Sequence, residues 1–98
     1  MDKDRKLKNP LLEEMRQEGE RIGQALRAKT NEHQFRSLCK EYIDVVASPT
    51  CDKRDKIVKA LLKIAEITGE QIKLIYFVLD NDNYFEATIA FGAALYDN

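Results

Sequence analysis

From Leu12 onwards, apolar residues return at every third or fourth position. Leu12, Met15, Gly19, Ile22 and Leu26 trace one face of a helix over about 10–28. Phe35, Leu38, Cys39, Tyr42, Ile43 and Val46 do the same over about 32–47. Ile57, Val58, Leu61, Ile64 and Ala65 mark a third helix that starts near Asp52. A chain patterned this way buries its oil by stacking helical stripes against one another. With 98 residues there is room for one core and no second beside it. The expectation is therefore all-α: a compact bundle of about five helices, with residues 9–98 as a single helical domain and residues 1–8 as a flexible basic arm.

The punctuation agrees with the periodicity. Asn9 can cap, and Pro10 suits a first helical position. Asn31 with Gln34 forms a capping-box pattern, and Pro49 disfavours helical geometry at Ser48. The third helix is expected to stop at Thr68-Gly69. Gly19 and Gly23 make a GxxxG spacing among Glu18, Glu20 and Arg21, which in a water-soluble helix points to close approach of a neighbour.

The last thirty residues read less cleanly. Thr68 with Gln71, and Asn83 with Glu86, repeat the capping pattern and predict helices through Leu79 and over Tyr84–Tyr96. Ala87, Ala90, Ala93 and Ala94 favour helix, whereas Leu74 to Leu79 is rich in strand formers. The alternative is three helices followed by a C-terminal β-hairpin across Asp80–Asn83.

Charge is unevenly spread. Residues 1–8 carry +2, residues 9–79 carry +1, and residues 80–98 carry −4 with no lysine or arginine. Between Tyr84 and Tyr96 the only charge is Glu86. Two consecutive helices this apolar exceed what three amphipathic neighbours can cover. The surplus is expected as an exposed apolar, tyrosine-bearing patch rimmed by carboxylates, which has the composition of a protein contact surface. The candidate partner-binding residues are Asp80, Asp82, Tyr84, Glu86, Tyr96 and Asp97. The bland alternative packs both segments as the core, with the Tyr84 and Tyr96 hydroxyls in water.

Catalytic chemistry finds little to work with. His33 is the single histidine and falls in the solvated first turn of the second helix. Cys39 lies on an apolar face, and Cys51 lies in a loop without a histidine base. Glu13-Glu14 and Glu18-Glu20 are expected on the solvated side of the first helix. Asp80-Asn81-Asp82 opens like a calcium loop, but Phe85 and Phe91 stand where glycine and glutamate are needed. Two cysteines twelve positions apart match neither a disulfide framework nor a zinc spacing. The expectation is a non-enzyme without cofactor or metal. The N-terminus has no apolar core of a signal peptide, and the run Leu74 to Leu79 is too short to span a bilayer. A cytoplasmic location follows as an expectation.

One motif points elsewhere. Within residues 60–79, the stretch Ile64-Ala65-Glu66-Ile67-Thr68-Gly69 with Ile75, Val78 and Leu79 resembles the DNA-binding helix-turn-helix pattern. Lys53, Lys56, Lys59 and Lys63 run along the preceding helix. Glu70 departs from the pattern, and the face offered to a major groove would be Gln71, Ile72, Lys73, Tyr76 and Phe77. The leading expectation is a small binding or inhibitor protein, of the immunity-protein or antitoxin kind. Its partner would be a protein with a basic surface, such as a nuclease, or a second copy of itself. A helix-turn-helix regulator is the alternative.

Overall fold

The computed structural model describes residues 10–49 and 51–97. They form five helices: α1 (Pro10–Lys29), α2 (Glu32–Ala47), α3 (Lys53–Thr68), α4 (Lys73–Asp80) and α5 (Phe85–Tyr96). The hairpin alternative is not realised, because both halves of it are helical. The basic arm and the Asn9 cap lie outside the described residues, while Pro10 does open α1.

The first three helices form where periodicity places them. Asn31 closes the predicted capping box: its side chain accepts from the Gln34 N–H at 2.8 Å, and the Gln34 side chain accepts from the Asn31 N–H at 3.1 Å. Helix α3 ends at Gly69, whose φ of 72° is the left-handed conformation that glycine adopts without strain.

The core runs through all five helices, with Ile22, Leu26, Phe35, Cys39, Tyr42, Ile57, Leu61, Leu74, Val78, Phe91 and Leu95 sealed from solvent. Helix α5 is the central element, packed on α1, α2 and α4. Gly19 is what lets α1 and α5 close together. A Cβ there would run into the backbone oxygen of Phe91 and lie 3.0 Å from the Ala94 Cβ. The predicted close neighbour at the GxxxG spacing is thus α5. Tyr42 ties α2 to the same helix, donating from its hydroxyl to the Thr88 carbonyl at 2.8 Å and meeting Phe91 edge-on at 5.8 Å between ring centres.

Two predicted starts are not made as the sequence implies. Thr68 is the last residue of α3, and its hydroxyl donates back to the Ile64 carbonyl, so it does not cap α4 with Gln71. Helix α4 starts later, at Lys73, and its N-cap residue Ile72 has no side-chain cap. The cap comes from α1 instead. Glu18 is 6% exposed and accepts from the N–H groups of Lys73 at 2.8 Å and Leu74 at 3.2 Å. This also corrects the expected solvated position of Glu18. Helix α5 likewise has Tyr84 at its N-cap position without a side-chain cap, so Asn83 and Glu86 do not form a capping box.

Candidate interaction surface

The six residues singled out from sequence fall at two ends of α5. Asp82, Tyr84 and Glu86 gather at its N-terminus, with Asp80 at the end of α4 just before them. Tyr96 and Asp97 lie at its C-terminus, about 16–18 Å away by helical rise. One compact six-residue site is therefore not formed.

At the N-terminal end, Arg54 of α3 holds the connection between α4 and α5. Its guanidinium donates to the Val78 carbonyl at 3.0 Å, to the Asn81 carbonyl at 3.1 Å and to the Asp82 carboxylate at 2.8 Å. It also lies 5.3 Å over the Tyr84 ring. Asp82 is thus exposed but ion-paired, and Tyr84 is half-buried beneath the same cation. Asp80 and Glu86 are exposed and have no ion pair among the described residues. A groove lined by Lys53, Asp82, Asn83, Tyr84, Phe85 and Glu86 opens beside them.

Between the two ends runs a feature that the six residues only bracket. Phe85, Ile89 and Tyr96 are 53%, 47% and 51% exposed, and they share one outward stripe of α5 with Ala93. The stripe continues onto α2. Ile43, grouped by periodicity with the inner face of α2, stands on its rim instead. A shallow groove of about 210 Å³ between the helices is lined by Ile43, Val46, Ala47, Ile89, Gly92 and Ala93, above Tyr42 and Thr88. The polar atoms of Tyr42 and Thr88 are turned away into hydrogen bonds with the Thr88 and Phe85 carbonyls. The groove surface is accordingly almost wholly apolar. Its signal was present in the sequence as the spacing of 85, 89 and 96 on a helix already apolar at 87, 91, 94 and 95.

Helix α4 also exposes Tyr76 and Leu79, but these are two side chains between Lys73 and Asp80. The face proposed for a DNA groove is reduced in the same way: Ile72 is buried and Phe77 half-buried, leaving Gln71, Lys73 and Tyr76. Of the lysines on α3, Lys56 pairs with Asp52, Lys63 pairs with Glu41, and Lys53 lies 5.2 Å over the Phe85 ring.

Among the described residues the two cysteines and the histidine are not brought together. Burial pushes the Cys39 thiol up to about 11, which keeps it protonated and poorly nucleophilic. Cys51, in the turn before α3, and His33, in the first turn of α2, are both exposed. Among the described residues no group of three or more His, Cys, Asp or Glu is placed to hold a metal ion. Among the same residues, no helix is long and apolar enough to cross a membrane.

Comparison with protein-family models, with curated proteins and with solved structures returns no match.

Proposed function

We propose that this chain is a non-enzymatic protein-binding protein whose contact surface is the outer face of α5 together with the acidic end formed by Asp80, Asp82 and Glu86. One observation carries the reading. A helix with a single charged residue buries one face in the core and still presents Phe85, Ile89 and Tyr96 to solvent beside an apolar groove. Large apolar side chains grouped in this way are the anchors of protein interfaces, and a charged rim sets approach and orientation.

The chemistry of the rim fits a basic protein partner, such as a nuclease held inactive by an immunity protein or antitoxin. Asp80 and Glu86 are free to steer such a partner. The test is binding to candidate basic toxins at two salt concentrations, with Asp80, Asp82 and Glu86 replaced by lysine. Slower association at low salt is expected for the lysine variant. Unchanged association rate and affinity would remove the acidic end from the reading. Salt-sensitive binding to DNA that weakens with Lys73→Ala would favour the helix-turn-helix regulator instead.

A further inference from the structure

Reading the outer face of α5 as a contact surface leaves open what the partner brings to it, and the inference that follows deepens that reading and rests on it. We propose that the partner seats a basic amphipathic helix across Ala93, with an aliphatic side chain in the apolar groove on the α2 side and a lysine or arginine in a second depression on the α1 side.

The two depressions share one wall. Ala93 is exposed between Ile89 and Tyr96, and on one side it lines the α2–α5 groove. On its other side it lines a depression of about 280 Å³ with Ala94 and Asp97 of α5 and Arg16 and Glu20 of α1. This second depression is short of positive charge. Arg16 is the cation that lines it, and its guanidinium is already held by Glu13 and, at 3.2 Å, by Glu20. The Asp97 carboxylate has no ion pair among the described residues. It also stands at the negative end of α5, whose last turn has no basic residue. A cation entering here meets an unpaired carboxylate and the helix C-terminus, whereas an anion is repelled by both.

Main-chain hydrogen bonding selects a helix as the visitor. The apolar groove offers an extended segment nothing to bond, since the hydroxyls of Tyr42 and Thr88 are taken up by the Thr88 and Phe85 carbonyls. A strand laid there would leave N–H and C=O groups unpaired, whereas a helix pairs its own. Side chains four apart on a helix hold their Cβ atoms about 5–6 Å from each other, which lets an aliphatic residue and a basic one straddle a single alanine. With only a methyl group at position 93, the visiting helix can approach α5 to the roughly 8–10 Å of ordinary helix packing.

Amide chemical-shift mapping on the full chain tests this. The probe is an alanine–glutamine peptide of about 16 residues, long enough to be helical in water, with leucine and arginine alternating four apart along one face. A control peptide carries glutamate in place of every arginine. The arginine peptide is expected to move the amides of Ile89, Gly92, Ala93 and Asp97 at up to about 1 mM, the weak end of specific association. The glutamate peptide, and Asp97→Lys in the chain, should each weaken binding by about tenfold or more, and combining the two should restore part of the loss. Ala93→Gln, at an exposed position, should abolish the shifts and leave the helical circular dichroism unchanged. No movement with the arginine peptide overturns the proposal. Equal movement with both peptides overturns the cation site and leaves the α5 contact surface standing, whereas movement confined to Tyr76 and Leu79 overturns both. Ala93 shifts that grow with protein concentration alone, or that change on Lys6→Gln/Lys8→Gln, give the site to a second copy or to the chain's own N-terminal residues and overturn the proposal as well.

Discussion

Glu18 on α1 accepts the N–H groups of Lys73 and Leu74 and so caps a helix 55 residues further along the chain. Helix α4 needs this cap because Ile72 supplies none, and unsatisfied N–H groups at a buried helix start are costly. The carboxylate also meets the positive end of α4 and has Arg21 3.6 Å away. Glu18→Ala is expected to lose about 1–3 kcal/mol in urea denaturation, as for other buried groups left without a hydrogen-bond partner. Glu14→Ala, on the exposed side of α1, should change stability by less than about 0.5 kcal/mol.

Gly19→Ala reverses the usual helix rule. In an open helix interior the change gains about 1 kcal/mol. Here the added methyl meets the Phe91 backbone, so α1 and α5 must separate. A net loss of about 1–3 kcal/mol is expected, the range for overpacked cores. A stabilised Gly19→Ala protein would show that the two helices do not approach at this point.

Two asparagines with similar sequence contexts should behave differently. Asn31→Ala removes a working capping box and is expected to cost about 0.5–2 kcal/mol. Asn83→Ala removes no cap, because α5 takes none from it, and should fall within about 0.5 kcal/mol of wild type. Thermal or urea unfolding of the pair checks both.

Burial raises Tyr42 well above its ordinary value of 10.0 and Cys39 from 9.0 to about 11. The unfolded chain therefore releases these protons at lower pH than the folded one. Their contribution to stability is complete below pH 9 and is lost as pH rises through the alkaline range. Stability measured from pH 8 to 11 should fall less steeply in Cys39→Ala and in Tyr42→Phe than in wild type, although both variants start lower. An unchanged slope in both would mean that the two side chains are hydrated.

Much of the fold is written in local spacing. The stripes of α1 to α3 and the Asn31 cap depend on residues three or four apart, and such signals survive in sequence. Leu74 to Leu79 looked strand-like because its residues favour either state; packing of Leu74, Ile75 and Val78 on the core makes it helix. Its start at Lys73 and the burial of Glu18 depend on each other across 55 residues, so neither has a local signature. The candidate surface was legible as an excess of oil near the C-terminus. Its position on the rim of α2 was not, because Ile43 reads as part of the inner face of α2 until α2 and α5 are set side by side.

Tyr96 and Tyr76 are exposed to similar extents, 51% and 61%, but on different helices, and this gives the contact surface its own control. Hydroxyl-radical footprinting should be run on dilute protein, on concentrated protein and in the presence of a basic partner. Phe85 and Tyr96 are expected to lose reactivity together under at least one of the latter conditions, while Tyr76 keeps its own. If Phe85 and Tyr96 stay as reactive as Tyr76 throughout, the outer face of α5 is not where this protein meets another.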